Sequence, residues 1–221
     1  MTRALYERGL NDIQAEMLVM AGLVETAVER GVEALKSRNV ELARRIIEDD
    51  REIDRLRYDI EDKAIELIAT QAPLASDLRT IASVLHISVD LERMGDHAEG
   101  IAKIALMLAD EPPLKPYIDI PQMAQKGIEM LRASLEAFKD RDTERARAIC
   151  EMDDEVDALY EQVYHELLTY MIQDPQSIQR ATYLIWVAHN LERIADRVTN
   201  ICERVVFMVT GHVQELNISK Y

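Results

Sequence analysis

Apolar residues recur along most of the chain at helical spacing, in long segments that turn-forming residues interrupt. Short polar side chains cap helices and proline cannot continue one, so these residues indicate where each helix starts and stops. The pattern predicts six helices of about 20–35 residues and no strand, with short turns that make neighbours antiparallel. The first three predicted helices span about 2–37, 39–69 and 73–109. The last three are predicted to begin at Pro121, Asp142 and Pro175, and the sixth to end near Gly211.

A long internal repeat relates the two halves of the chain. Residues 31–54 align with 134–157 at an offset of 103, and twelve of the 24 positions are identical. The offset falls to 100 by Glu92 and Glu192, so the second copy is three residues shorter, most simply at a loop. Such a repeat predicts one structural module per copy. We therefore expect an all-α fold of two tandem three-helix bundles, end to end or side by side.

A proline-rich segment separates the two copies of the repeat. The segment 110–116 contains three prolines and is the clearest linker in the chain. The predicted domains are a first bundle at 1–110, a linker at 111–120 and a second bundle at 121–221.

A doubled hexapeptide, Leu-Glu-Arg-x-(Gly/Ala)-Asp, occurs at 91–96 and again at 191–196. On a helix its Glu and Asp share one face, because they are four residues apart. The preceding helix of each copy carries a similar acidic pair, also four residues apart. The pairs are Asp50 and Asp54, Glu92 and Asp96, Asp153 and Asp157, and Glu192 and Asp196.

These acidic pairs are predicted to face each other across each helical hairpin. Asp54 and Glu92 are each 19 residues from Pro73, and Asp50 and Asp96 are each 23 residues from it. Residues equidistant from a turn lie at the same height in an antiparallel hairpin. The second copy repeats this arithmetic about residues 174–175. We call Asp50, Asp54, Glu92 and Asp96 the first acidic cluster, and Asp153, Asp157, Glu192 and Asp196 the second acidic cluster.

Four carboxylates in one groove repel one another or take up protons unless something compensates their charge. A multivalent cation is one compensation, since carboxylate oxygens suit Mg, Ca, Mn and ferric iron and tolerate Zn. Neighbouring arginines, namely Arg51, Arg55, Arg93 and Arg193, are a second, and water is a third. For Arg93 and Arg193 we expect structural ion pairs.

No catalytic constellation accompanies the carboxylates. The five histidines do not align as a set between the copies, and no Glu-x-x-His of the ferritin-like di-iron type occurs. The sequence lacks a Gly-rich phosphate loop and a G-x-S-x-G motif. Trp186 and the methionines fall on apolar stripes and are predicted to be core. Three hypotheses remain: a non-enzymatic adaptor, a carboxylate-bridged metalloenzyme, and a metal-free helical scaffold.

The net charge and the composition of the chain limit the classes of binding partner and the compartment that we expect. The net charge of −15 argues against nucleic acid and anionic membranes. No apolar run reaches the roughly 18 residues of a membrane span, and the first residues lack a signal-peptide core. The two cysteines show no C-x-x-C spacing and fit a reducing compartment, so we expect a cytoplasmic protein with both cysteines in the core.

The acidic motifs on helices two, three, five and six resemble those of the PhoU family of phosphate-uptake regulators. Segments 91–101 and 191–211 are most similar, including Asn200 and Ile201 after the second motif. The chain departs from the family at Gly100, often Asn, and at Arg197, often His. The resemblance implies that both clusters bind multinuclear iron or zinc.

The same resemblance implies a function. Members of this family are cytoplasmic, often dimeric, accessory proteins of the phosphate ABC transporter. They connect that transporter to a phosphate-sensing histidine kinase and repress the starvation response when phosphate is plentiful.

Overall fold

The computed structural model describes residues 2–216. Within that range it contains six α-helices, one short 3₁₀ helix and no strand, which confirms the predicted all-α fold. The α-helices are α1 (Thr2–Ser37), α2 (Val40–Gln71), α3 (Ser76–Met107), α4 (Asp119–Asp140), α5 (Thr143–Gln173) and α6 (Ile178–Thr210), and the 3₁₀ helix is Pro175–Ser177.

Polar side chains cap α2 and α5 as predicted. Asn39 accepts a hydrogen bond from the backbone N–H of Leu42 at 3.0 Å, and Asp142 accepts one from Arg145 at 3.0 Å. Each bond satisfies a backbone donor that has no partner inside its own helix. The two copies therefore begin their second helix by the same local chemistry.

The start of α4 and both ends of α6 lie close to the turn-forming residues of the sequence. The Asp174 side chain accepts a hydrogen bond from the backbone N–H two residues later, and Pro175 opens the 3₁₀ helix that precedes α6. Gly211 ends α6 with a φ of 78°, in the left-handed region that favours glycine. Helix α4 starts at Asp119, two residues before the predicted Pro121, so this proline lies in the first turn, where no intrahelical N–H bond is lost.

Short connections of equal length join the last two helices of each unit. Residues 72–75 join α2 to α3, and residues 174–177, three of which form the 3₁₀ helix, join α5 to α6. The place of the three-residue difference between the copies stays a prediction.

The two three-helix units lie side by side, with α3 packed against α6 at the centre and α1 against α4. The Ser83 hydroxyl donates to the carbonyl of Arg204 at 3.2 Å, and Arg79 Nε donates to the carbonyl of Met208 at 3.3 Å. From Arg79 to Ser83 the residue number on α3 rises, while the contacted residue on α6 falls from Met208 to Arg204. These two helices are therefore antiparallel. The repeat positions are consequently related by an approximate two-fold axis near residues 93–94 and 193–194.

Apolar stripes of all six helices form one continuous core. Cys150 and Cys202 are free and buried, as predicted. The prediction for Trp186 is wrong, because this residue is 50% exposed. Successive residues of a helix are about 100° apart, so the buried stripe through Leu184 and Ala188 leaves Trp186 on the opposite face. In the described part of the chain, no helix combines the length and apolarity that crossing a bilayer requires.

The segment between α3 and α4 is bound to both units. Arg38 donates a hydrogen bond to the carbonyl of Glu111 at 3.4 Å, and Arg180 donates one to the carbonyl of Pro112 at 3.2 Å. Lys115, in the same segment, is buried. The predicted linker is therefore a packed part of the structure, and the division of the chain into domains stays a prediction.

Candidate functional site

The first acidic cluster lies between α2 and α3, and its four side chains are partly buried. Asp50 lies within electrostatic range of Asp54 and Asp96, and Glu92 lies within range of Asp96 and Asp54. The two helices therefore bring Asp50 near Asp96 and Asp54 near Glu92. The role of these residues as metal ligands stays a prediction.

Gly95 allows α2 to approach α3 closely at this cluster. A Cβ atom at position 95 would lie 3.0 Å from Oδ1 of Asp50 and 3.1 Å from Cδ1 of Ile53. In the second copy, Ala195 stands at the position of Gly95, and Val156 stands at the position of Ile53. The second copy thus adds a methyl group on one helix and removes one from the facing helix, which conserves the total volume.

We expect the effect of Gly95→Ala to depend on residue 53. Alanine gains up to about 1 kcal/mol of helix propensity but loses about 1–3 kcal/mol through overpacking against Ile53, so the single variant should be less stable than wild type. An Ile53→Val background removes the Cδ1 contact but keeps the contacts with Asp50 Oδ1 and with Cγ2 of residue 53, so the same alanine should be less destabilising there. Urea unfolding followed by circular dichroism measures both effects. Equal effects of the alanine in the two backgrounds would show that volume matching is unimportant here.

Two carboxyl groups of the first cluster, those of Asp50 and Glu92, are costly to ionise. Burial raises the pKa of Asp50 to about 7, and the charges of Asp54, Glu99 and Asp96 add to the rise. Burial also raises the pKa of Glu92, with Asp96 as the next cause. Each rise reflects a negative charge that has lost water and gained like-charged neighbours. The cluster therefore favours a proton or a positive ion.

The second acidic cluster lies between α5 and α6 and has the same character. Asp153 is only 2% exposed, and the other three side chains are partly buried. Burial raises the pKa of Glu192 to about 7, and the charges of Asp196 and Asp157 contribute. Burial also raises the pKa of Asp196, although neighbouring arginines oppose that rise. Both copies of the repeat thus concentrate negative charge in a partly desolvated groove.

Arginine side chains pair with both clusters, which confirms the predicted ion pairs. Arg93 Nε lies 3.4 Å from Glu92 Oε2, and its Nη1 lies 3.1 Å from Asp96 Oδ2. Arg193 makes the equivalent contacts in the second cluster at 3.3 and 2.9 Å. Both arginines are about half exposed, so each pair contributes at most about 1 kcal/mol. A multivalent cation is therefore able to compete with them.

The sequence model of the PhoU domain family matches this chain twice, over residues 17–105 and 120–205. The chain belongs to the PhoU family. The phosphate-specific transport system accessory protein PhoU homolog of Aquifex aeolicus is 44% identical over 204 residues, which is 92% of each chain. The homolog of the same name from Clostridium acetobutylicum is 38% identical over 218 residues, covering 98% of this chain and 100% of the relative.

Solved PhoU structures share the fold. PhoU from Pseudomonas aeruginosa superimposes with a TM-score of 0.89 at 34% identity, over 94% of this chain and 100% of that one. The phosphate transport system regulatory protein PhoU from Streptococcus pneumoniae gives a TM-score of 0.88 at 33% identity, over 95% and 99% of the two chains. Each PhoU domain of the present chain contains one acidic cluster.

The donor chemistry of the clusters fits the metal ions that the PhoU resemblance implies. Desolvated carboxylates that repel one another offer the oxygen ligands and the negative charge that hard cations require. Among residues 2–216, no three His, Cys, Asp or Glu side chains stand in an arrangement that could hold a metal. Metal binding would therefore require the carboxylates to turn away from their arginine partners and converge.

Two histidines lie beside the second cluster, and the sequence comparison missed them. His189 Nδ1 is 3.4 Å from Glu192 Oε2. His97, from α3, shares a hydrogen bond with Asn190 at 2.9 Å and is close enough to influence the pKa of His189 and Asp196. Aligning the two repeat copies does not predict that these histidines lie close together. Their proximity depends on the antiparallel packing of α3 on α6, which places residue 97 opposite residue 190.

Arg197 directs its charge towards α3. Its Nη1 lies 3.4 Å from Asp90 Oδ1, and Asn200 Nδ2 donates to the same oxygen at 3.0 Å. Burial nevertheless raises the pKa of Asp90. Arg197 and Asn200 therefore join the two PhoU domains.

Proposed function

We propose that this protein is a regulatory accessory protein of phosphate transport. The observation that carries the proposal is the presence of two PhoU domains, supported by curated relatives that are named as accessory proteins of the phosphate-specific transport system. In its finer form, the proposal places the protein in the cytoplasm as a homodimer without turnover of its own. It acts there by contact with the ATPase subunit of a phosphate ABC transporter and with a phosphate-sensing histidine kinase.

The acidic clusters are the second part of the proposal. The carboxylates of both clusters hold multivalent metal ions, iron or zinc, whose positive charge offsets the burial and the like-charge repulsion that raise the pKa of Asp50 and Glu192. Because each cluster takes ligands from two helices, its carboxylates would tie α2 to α3 or α5 to α6. The site residues would thus fix the relative position of the helices that a partner contacts.

The charge of the whole chain supports protein partners. A net charge of −15 favours basic protein surfaces over nucleic acid. Regulation by contact requires different affinities for two states of the partner. Binding should therefore depend on whether the transporter or the kinase is in its signalling state.

One observation favours the metal-free scaffold as the alternative. Arg93 and Arg193 already bridge the two carboxylates of the third and sixth helices. In that alternative the arginines alone compensate the acidic pairs, and purified protein contains no stoichiometric metal.

Deletion of the gene tests the regulatory function. A strain without it should keep its phosphate-starvation genes switched on in phosphate-rich medium, and a plasmid-borne copy should restore repression. Transcript levels of those genes in both strains provide the measurement. Normal repression in the deletion strain, with no second copy of the protein present, would reject the proposal.

A further inference from the structure

The outer surface of the hairpin formed by α5 and α6 carries a row of aromatic side chains. The ring centre of Tyr160 lies 6.3 Å from that of Tyr164 and 6.2 Å from that of His189. One turn before His189 on α6, the ring centre of Trp186 lies 5.6 Å from that of Tyr183. Tyr164 is 37% exposed and Trp186 is 50% exposed. We call these five residues the aromatic face.

The first hairpin, formed by α2 and α3, lacks such a row at the positions that the repeat aligns. Arg57 and Glu61 occupy the positions of Tyr160 and Tyr164, and they pair with each other at 3.1 Å. The three equivalent positions of α3 carry a serine, a histidine and a valine. The aromatic face therefore belongs to one unit only, and the common fold does not require it. Large rings left partly exposed on a surface are typical of sites that another molecule covers.

Negative charge surrounds the aromatic face. Residues 148–179 contain eight Asp or Glu and no Lys or Arg, whereas the equivalent residues 45–76 contain nine acidic and five basic side chains. Burial raises the pKa of Tyr160, and the negative charges of Glu192 and Glu161 add to the rise. A ring of the aromatic face thus lies among carboxylates.

This negative charge exceeds the positive charge available to balance it. Lysines of neighbouring elements pair with two of the eight carboxylates, those of Glu155 and Glu166. An ion at the second acidic cluster would offset two more, and four would remain. Arg193, which adjoins Tyr160, already pairs with carboxylates of α6. Anionic lipid, nucleic acid and a second copy of this chain, with its net charge of −15, would all be repelled.

We propose that the aromatic face docks a basic amphipathic helix of a protein partner. Such a helix presents apolar side chains at i, i+3, i+4 and i+7, and aromatic anchors contribute strongly to binding once a partner covers them. Lysine and arginine beside the apolar stripe are attracted both by the carboxylates and by the ring faces. This inference rests on the proposed regulatory function, and it assigns the contact with the partner to α5 and α6.

Trp186 reports on the docking directly, because it is the only tryptophan of the chain. The probe is an amidated peptide of about 18 residues, made of Leu and Lys with Leu at helical spacing. Titrated into the full-length protein, it should shift the Trp186 fluorescence to shorter wavelength, because it displaces water from the indole ring. A peptide with the same Leu positions and Glu in place of Lys should give no shift, since the face repels it.

Tyr164→Glu separates the contribution of the rings from that of charge. The substitution copies the first hairpin and adds a negative charge, so attraction by charge alone predicts equal or tighter binding of the Leu-Lys peptide. Docking on the aromatic face predicts binding about tenfold weaker, because an anchoring ring is lost. Tyr58→Glu is the matched control, since Tyr58 is a tyrosine of α2 that is 60% exposed, and its peptide affinity should equal that of wild type. Thermal melts followed by circular dichroism confirm that each variant is folded.

Two results would assign the aromatic face to another occupant and overturn the inference. A fluorescence shift with neutral phosphatidylcholine vesicles, but not with the Leu-Lys peptide, would indicate a membrane surface. A shift that depends on protein concentration in the absence of peptide would indicate a second copy of the chain.

Repression in cells separates this inference from the proposed function. In the deletion strain, a plasmid-borne Tyr164→Glu protein should fail to restore repression of the phosphate-starvation genes, whereas Tyr58→Glu at the same protein level should restore it. If the two variants restore repression equally, or bind the peptide equally well, the inference is wrong while the regulatory function stands. If the deletion strain itself represses these genes normally, the proposed function fails and this inference fails with it.

Discussion

Lys115→Met is expected to lower the free energy of unfolding by about 3–5 kcal/mol. Lys115 is only 7% exposed, its Nζ lies 3.3 Å from Asp119 Oδ2, and it also pairs with Glu166. Asp119 is 8% exposed, and its other polar contact is a long hydrogen bond of 3.5 Å from Gln162. Removing the ammonium group would therefore leave a buried carboxylate without a compensating charge. Urea unfolding at pH 7 measures the loss.

Two further variants make this prediction specific. Lys126→Met removes a more exposed lysine, whose partner Glu155 is 61% exposed, and it should cost at most about 1 kcal/mol. Combining Lys115→Met with Asp119→Asn removes the orphaned charge and should recover part of the stability. Similar small losses for Lys115→Met and Lys126→Met would show that the buried network contributes no more than a surface pair.

This network illustrates which part of the fold can be predicted from sequence. Helix ends follow from local chemistry, as at Asn39 and Asp142, and the internal repeat extends each assignment to the other copy. The three prolines of segment 110–116 predict a linker, and the division into domains stays a prediction. The burial of Lys115 could not be predicted in this way, because its partner Glu166 is 51 residues away and on another helix. Long-range packing of a charged side chain leaves no local signal.

Some features of the candidate site can also be predicted from the sequence, and others cannot. The facing positions of the carboxylates follow from helix geometry within one hairpin, since Pro73 sets the height of both partners. The approach of His97 to the second cluster depends on how the two bundles pack, and the sequence left that arrangement open. The apolar character of Trp186 favours the core, but its angular position on α6 places it on the exposed face.

Neutralising one carboxylate in each cluster should change how stability depends on pH. In metal-free protein, the pKa of Asp50 and of Glu192 is about 7, against ordinary values of 3.8 and 4.5. The folded state therefore binds protons that the unfolded state releases at intermediate pH, so stability is gained as pH falls through 7 and lost as pH rises through it. Between pH 8 and 5.5 the gain is about 1 kcal/mol per group, after allowance for partial exposure.

The variant Asp50→Asn with Glu192→Gln removes both groups. It should be more stable than wild type at pH 8, because the ionisation cost is gone, and this advantage should shrink by about 2 kcal/mol between pH 8 and pH 5.5. Urea unfolding in EDTA at the two pH values measures the difference. Glu52→Gln is the matched control, since Glu52 is an exposed carboxylate of α2 that pairs with Arg55, and the wild-type pH profile should survive its removal. Parallel pH profiles for wild type and the double variant would mean that both carboxylates are solvated, and that the clusters exert no demand for a positive ion.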